Sequence, residues 1–368
     1  MRWGEPQEII GLCKTLDYRI SAVFNQNIQK LNPTFYIGGG KAEELAEYIS
    51  EHDQLQLAVF DCPLKPNQMF NLENRLGVRV IDRSTLILMI FLHHARTKEA
   101  KLQVEYAILN HQLPYVTELI RRTKKGEHPG YMAGGEYKVD EYFRLTKTRV
   151  KSIQAELRKM AVSRMQRRKN RRKRGFCLVS LAGYTNAGKS SLLKTLTKAQ
   201  VLVNESMFST VSPKTRKFRR SNILFTDTVG FIRNIPTQLI EAFKSTLEEI
   251  VDADHIMLVV DISEDPELVK DKLITCFNII DQLVTERYIP ANKNTQNRSD
   301  ITKRPEFHII FNKCDLEENY QAKIEDITTE LQEDLSTYSL SSTFPISCKT
   351  KIGLDDLMNE LNFLNQVE

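Results

Sequence analysis

No apolar run in this chain approaches the roughly 20 residues that cross a bilayer. The amino terminus, Met1-Arg2-Trp3-Gly4-Glu5-Pro6, also lacks the apolar stretch of a secretory leader. A cytoplasmic protein without stable membrane insertion is expected, and a monomer. Cysteine is scarce and scattered. Cys13, Cys62, Cys177, Cys276, Cys314 and Cys348 form no C-x-x-C pair, so neither a zinc site nor a disulfide framework is suggested, and they read as buried or incidental thiols. Basic residues are concentrated in one segment. Residues 121–174 hold 19 Lys/Arg against 5 Asp/Glu, a local +14 in a chain whose total is +5, so everything outside it sums to −9. Such segregation points to a polyanion partner rather than to general solubility. At 368 residues, 41% apolar and 27% charged, the chain has room for two domains and a connector.

What the chain does have is Gly183-Tyr184-Thr185-Asn186-Ala187-Gly188-Lys189-Ser190, a complete G-x-x-x-x-G-K-[ST] phosphate loop. The apolar run from Phe176 to Ala182 enters it like a buried parallel strand, and Ser191 to Leu196 leaves it with helical spacing. The glycines let backbone N–H groups turn inward on phosphates at a helix N-terminus. Lys189 reaches the β and γ oxygens, and the Ser190 hydroxyl serves Mg²⁺.

Further motifs follow in order. Ile223 to Thr226 runs as a strand into Asp227-Thr228-Val229-Gly230, a D-x-x-G element whose carboxylate holds Mg²⁺ through water and whose Gly230 N–H senses a γ-phosphate. Between the two motifs lies Phe208-Ser209-Thr210-Val211-Ser212-Pro213. Thr210 is the favoured switch threonine that completes Mg²⁺ coordination, with Ser209 and Thr215 as rivals. His255 to Val260 reads as a central strand. Phe307 to Phe311 reads as another and delivers Asn312-Lys313-Cys314-Asp315, an N-K-x-D in which the aspartate accepts two hydrogen bonds from guanine where adenine offers no matching donors. Ser347-Cys348-Lys349 then packs over the base edge. One expected group is missing. Where many such domains place a water-orienting glutamine after D-x-x-G, this chain has Phe231 and then Ile232, so slow hydrolysis by the protein alone is expected. Phe231 either keeps the site idle or packs in the core beneath the switch. The polar insertion from Ala291 to Arg304 carries no legible chemistry.

Residues 1–120 read as a small parallel-sheet α/β unit. Strand-like runs at Arg19–Phe24, Thr34–Ile37, Leu57–Asp61 and Val78–Ile81 alternate with helical stretches at Lys41–Ile49 and Pro66–Leu76. Gly38-Gly39-Gly40-Lys41 lacks the spacer of a phosphate loop and reads as the turn that starts a helix. A long helix is expected from Ser84 to Arg122, broken only by Pro114. After a Gly/Pro-rich break at residues 126–136, Val139, Phe143, Thr146, Val150, Ile153, Leu157 and Met160 form a coiled-coil seam, antiparallel to the helix before the break. The seam dissolves into Arg164, Arg167, Arg168, Lys169, Arg171, Arg172, Lys173 and Arg174. This run is read as contacting nucleic-acid backbone, against the plainer reading of a solvated face. The fold class is α/β, with an amino-terminal domain (1–120), an antiparallel helical linker (121–174) and a phosphate-loop GTPase domain (175–368).

On these residues the chain resembles the HflX family of translation-associated GTPases. Family signatures are matched by Phe35 to Leu45, Ile81 to Leu88, Gln103-Val104-Glu105-Tyr106, Phe208-Ser209-Thr210, Thr228 to Ile232 and Ala242 to Glu249. The glycine-rich interdomain segment is matched only loosely, by Gly134-Gly135-Glu136, and with Glu368 following just after the last GTPase helix, the extra carboxy-terminal domain of some members is not expected. The resemblance implies a GTPase that binds the large ribosomal subunit and its rRNA and splits or recycles ribosomes. It implies Lys189, Thr210 and Gly230 in catalysis. The nucleotide would be held by Gly183 through Ser191, Phe208 through Ser212, Asp227 through Gly230, Asn312 through Asp315, and Ser347 through Lys349. Mg²⁺ would be held by Ser190, Thr210 and Asp227. Asn186 stands where certain similar GTPases use asparagine to hold a monovalent cation, so K⁺ is expected there. A signalling or membrane-associated switch acting on a protein effector, and an RNA-binding module with vestigial hydrolysis, are the alternatives.

Overall fold

The computed structural model describes residues 6–27, 30–124, 135–197, 207–208, 210, 213–218, 221–233, 247–288, 305–331 and 340–367. Ser209, Val211 and Ser212, most of the 126–136 loop, residues 242–246 of the Ala242–Glu249 signature and the 291–304 insertion lie outside them. The chain divides into two compact units, one of residues 1–160 with 236–242 and the other of residues 161–235 with 243–368.

The first unit contains α1 (Pro6–Thr15), α2 (Gly39–Ser50), β1 (Leu57–Phe60), α3 (Pro66–Leu76), β2 (Arg79–Asp82), α4 (Arg83–His94), α5 (Lys98–Lys124) and the first part of α6 (Gly135–Lys173). β1 and β2 pair in parallel, from Leu57 opposite Arg79 to Phe60 opposite Asp82. α3 has clear local causes. Pro66 opens it, the Lys65 N–H donates to the Gln68 side chain, and Gly77 closes it with φ 68° in the left-handed region. Leu72, Leu76 and Val80 join Ile37 and Ala42 in the core beneath. Gly38 to Lys41 start α2, with the Gly38 N–H held by the Gln26 side chain at 3.1 Å.

Three expectations for this unit are corrected. The run from Arg19 to Phe24 has no regular structure. Thr34–Ile37 belongs to a tight turn rather than a strand. The Asn32 side chain accepts from the Thr34 and Phe35 N–H groups, and the bridge from Asn32 to Tyr36 closes the turn. The long helix breaks at residues 95–97 rather than at Pro114. Ala95 leaves helical backbone, and the Thr97 hydroxyl accepts from the Ala100 N–H to begin α5. Pro114 lies inside α5. α5 and α6 run antiparallel, as Arg149 bonds Glu105 through both guanidinium arms while Lys98 pairs with Glu156. In the seam, Thr146 and Ile153 are buried while Arg144, Lys147 and Lys151 are exposed.

The second unit is a six-stranded sheet ordered β4-β5-β3-β6-β7-β8. Its strands are β3 (Cys177–Gly183), β4 (Lys214–Lys217), β5 (Ile223–Asp227), β6 (His255–Asp261), β7 (Glu306–Asn312) and β8 (Leu340–Pro345). Only β4 is antiparallel to its neighbour. Every residue of β3 and β6 is buried, as a strand covered on both faces requires. α7 (Lys189–Thr197), α8 (Pro266–Tyr288), α9 (Tyr320–Glu330) and α10 (Leu354–Val367) complete it, with helical residues at 247–251. Val179, Leu181, Leu192, Leu193, Met257 and Leu357 share one core cluster. Because β3, β5 and β7 are parallel, Gly183, Asp227 and Asn312 all emerge at one edge of the sheet.

The basic run at the end of α6 is not uniform. Arg164, Arg168 and Arg172 recur every four residues and turn one face to the acids that follow the D-x-x-G segment. Arg168 pairs with Glu249 at 2.8 Å, with Glu248 at 3.6 Å and with Asp252. Arg164 reaches Glu248, and Arg172 donates to the Asp252 carbonyl oxygen at 2.8 Å. Despite the desolvation that opposes it, this carboxylate cage raises the Arg168 pKa. Arg167, Lys173 and Arg174 are exposed. The single polyanion-binding run is corrected accordingly: part of it is internal ion pairing.

Candidate functional site

The phosphate loop is built on two glycines that no other residue could replace. Gly183 has φ 135°, and a Cβ there would stand 2.2 Å from the Val259 carbonyl oxygen. At Gly188, with φ 100°, a Cβ would stand 2.1 Å from Asn312 Nδ2. Asn186 also takes positive φ, at 65°. Gly183 to Gly188 therefore form the tight turn between β3 and α7. Lys189 begins α7 buried, and its ammonium donates to the Tyr184 carbonyl oxygen at 2.6 Å. Burial pushes its pKa down to about 8, although the Asp227 carboxylate works the other way. Ser191 follows it in α7.

Ser190, Thr210 and Asp227 meet at one point. The Ser190 hydroxyl donates to Asp227 Oδ2 at 2.6 Å, the Thr210 hydroxyl donates to the same oxygen at 3.0 Å, and the two hydroxyls are 3.3 Å apart. Of the rivals to Thr210, Thr215 meets Thr226 across the β4–β5 ladder, away from Asp227, and Ser209 lies outside the described residues. Asp227 is fully buried and its Oδ1 has no partner. Burial raises its pKa, and Lys189, Ser190 and Thr210 oppose that rise. An enclosed carboxylate with one free oxygen between two hydroxyls suits a hard, oxygen-seeking divalent cation such as Mg²⁺.

The D-x-x-G segment is pinned to the loop. The Phe231 N–H donates to the Gly183 carbonyl oxygen and the Phe231 carbonyl oxygen accepts from the Thr185 N–H, each at 2.9 Å, while the Thr228 hydroxyl donates to the Leu181 carbonyl oxygen at 2.7 Å. Val229 is buried, and a Cβ on Gly230 would come within 2.7 Å of Thr185 Cγ2. Phe231 is 1% exposed, so of its two readings the structure has the core-packing one.

On the base side, Asn312 holds two loops together. Its amide donates to the Ala187 carbonyl oxygen at 2.9 Å and accepts from the Cys348 N–H at 3.2 Å. Lys313 takes left-handed backbone, φ 68°, and its ammonium pairs with Asp261. The Cys314 thiol donates to the Ile346 carbonyl oxygen at 2.9 Å. Asp315 is half-buried on the short turn Cys314–Leu316. Burial, and then the charge of Asp315, push the Cys348 thiol up to about 12. Ser347 is fully buried and its hydroxyl accepts from the Thr350 N–H, while Lys349 is exposed. Phe208 is buried with φ 59°.

Three neighbours were not singled out in the sequence. Asp261, Lys272 and Cys276 line a small cavity with Tyr184, Thr185 and Ala187. Asp261 could have been suspected from its place at the end of the central strand, where α/β sheets gather their ligand sites. Cys276 and Lys272 lie inside a helix whose pattern is ordinary.

Known proteins align with this arrangement along most of the chain. The family models described as "GTP-binding GTPase N-terminal", "GTP-binding GTPase Middle Region" and "50S ribosome-binding GTPase" match residues 5–92, 94–171 and 178–313. A GTPase HflX from Hyperthermus butylicus is 36% identical over 97% of this chain and 91% of its own. One from Thermococcus kodakarensis is 41% identical over 75% of this chain, a match that spans 62% of that relative's length. A solved GTP-binding protein from Sulfolobus solfataricus, in complex with GDP, is 25% identical with a TM-score of 0.52, covering 98% of this chain and 96% of its own.

Proposed function

This chain belongs to the HflX family of GTPases, and on that premise we propose that it hydrolyses GTP to GDP and phosphate while acting on the large ribosomal subunit in the cytoplasm, as a monomer. The observation that carries the reading is the meeting of Ser190, Thr210 and Asp227 beside the phosphate loop. Backbone N–H groups of Gly183 to Ser191 face the phosphates, and the Lys189 ammonium neutralises their charge in a water-poor pocket. Ser190, Thr210 and Asp227 would hold Mg²⁺, which supplies charge neutralisation at the β and γ oxygens when bound. Asp315 accepts from guanine N1–H and its amine, Asn312 braces that loop, and Ser347, Cys348 and Lys349 cover the base edge. Phe208 and Thr210 would face the nucleotide, and Asn186 would hold K⁺.

The step itself is simple. Water oxygen bonds to the γ-phosphorus, the bond to the β–γ bridging oxygen breaks with its electron pair leaving on GDP, and of the water's two protons one stays on the phosphate and the other passes to phosphate or solvent. Thr210 and the Gly230 N–H engage only while the γ-phosphate is present, so the segments that carry them report nucleotide state. Phe231 is packed and cannot orient the water, which leaves that task to the bound partner. The partner fits the exposed basic residues of α6. Among the described residues no helix is long and apolar enough to cross a membrane. Turnover of GTP and ATP, with and without large ribosomal subunits, tests the proposal. GTP should be preferred, subunits should accelerate it, and Ser190→Ala should lower the rate by about 10²-fold or more. Ribosome-independent turnover, or equal use of ATP, would contradict it.

A further inference from the structure

At the opposite end of the sheet from the nucleotide loops, β6 and β7 begin with three metal-ligating side chains on one face. His255 and Glu306 are register partners, and His308 lies two residues further along β7, so all three project to the same side. His255 Nδ1 stands 3.1 Å from His308 Nε2 and 3.7 Å from Glu306 Oε2, and the three donor atoms lie within 4.8 Å of one another. Both imidazoles are buried, while the Glu306 carboxylate is 26% exposed and gives the cluster an opening. The other ring nitrogen of His308, Nδ1, is 2.7 Å from the Ser342 hydroxyl on β8.

Hydrogen bonding alone uses this arrangement poorly. His255 Nδ1 has either one proton or one lone pair, yet an imidazole nitrogen and a carboxylate oxygen both converge on it. At 3.7 Å the carboxylate is beyond hydrogen-bond reach. Donors around a tetrahedral zinc ion, bound at about 2.0–2.1 Å, stand roughly 3.3 Å apart, between the two separations seen here. We propose that His255, Glu306 and His308 form a site for a divalent transition-metal ion of the zinc class. Two neutral nitrogens and one carboxylate suit such an ion better than Mg²⁺ or Ca²⁺, which take oxygen ligands. Ser342 is the outer partner that accepts the His308 Nδ1–H and turns the Nε2 lone pair inward, the usual support for a ligating histidine. Both strands stem from the ladder, so two ligands are positioned before the ion arrives and only the Glu306 side chain has to swing. The fourth position opens to solvent beside Glu306. Such an ion would clamp β6 to β7 at the edge remote from the phosphates.

The test uses the full chain saturated with GDP and excess Mg²⁺, so that the phosphate-loop site cannot take up the probe. Co²⁺ is titrated in, followed by its visible d–d absorption, and then displaced with Zn²⁺. The expected result is saturation at one equivalent, with the absorption intensity of a four- or five-coordinate ion. Glu306→Gln and His255→Asn, each shown to be folded by unchanged GDP affinity, should weaken Co²⁺ binding at least about tenfold. No absorption beyond that of the aqueous ion, or uptake unaltered in both variants, would overturn the proposal and leave the trio as a hydrogen-bonded histidine pair beside a carboxylate.

Discussion

Asn312 bridges two loops, through the Ala187 carbonyl and the Cys348 N–H, and in the proposed function the residues after it carry the base selectivity. Asp315→Asn should weaken GTP binding by ~2–3 kcal/mol, because the amide offers a donor where guanine also offers one, and should favour xanthosine triphosphate instead. Unchanged relative affinities in a competition assay would remove Asp315 from that role. Gly230 is tight for a different reason. A methyl group there meets Thr185, so if this segment senses the γ-phosphate as proposed, Gly230→Ala should displace it, lowering affinity for a non-hydrolysable GTP analogue about tenfold or more while GDP binds as before. Equal losses for both nucleotides would show a general collapse of the loop. Phe231 has backbone bonds to Gly183 and Thr185 and a side chain in the core. Phe231→Gln would bury an amide and leave a void, costing about 3 kcal/mol of stability without raising turnover. A faster, equally stable variant would restore the idle-until-bound role for this side chain.

At the scale of elements, sequence periodicity found the helices with local signals and missed where side chains decide. Pro66 and Gly77 bracket α3 in the sequence as in the structure. Thr34 to Ile37 alternates like a strand, yet the Asn32 carboxamide captures its N–H groups and makes a turn, a competition that apolar pattern alone does not reveal. The basic end of α6 is the same lesson in charge. Its density suggested one surface, but a four-residue spacing sends Arg164, Arg168 and Arg172 to Glu248, Glu249, Asp252 and Asp254, partners some 80 positions away in the chain. Arg168→Gln should therefore cost about 2–3 kcal/mol, seen as a lower thermal midpoint, by leaving Asp252 and Glu249 uncompensated; the value is reduced because Glu248 is partly exposed. Arg167, Lys173 and Arg174 face outward. Replacing these three by Gln should leave stability unchanged and flatten the salt dependence of ribosome binding by roughly two to three in slope. If the outward triple variant keeps the wild-type slope, those residues are a solvated face.

Over the whole molecule, the motifs around the phosphates could be read because each is contiguous and its chemistry needs a fixed spacing. Ser190 and Asp227 were placed on that basis, and their hydroxyl and carboxylate do meet. Contributions from strand pairing were not legible. His255 and His308 become neighbours only through the register of β6 on β7, and Lys272 and Cys276 only through the packing of α8. The central claim is that nucleotide state governs binding to the large ribosomal subunit through a cytosolic GTPase whose γ-phosphate sensors are Thr210 and Gly230. Co-sedimentation of the full chain with purified large subunits, in a non-hydrolysable GTP analogue and in GDP, addresses it most directly. The account predicts that the protein travels with the subunits in the analogue and is released in GDP, and that Thr210→Ala removes the difference. Equal sedimentation in both nucleotides, or none in either, would contradict it.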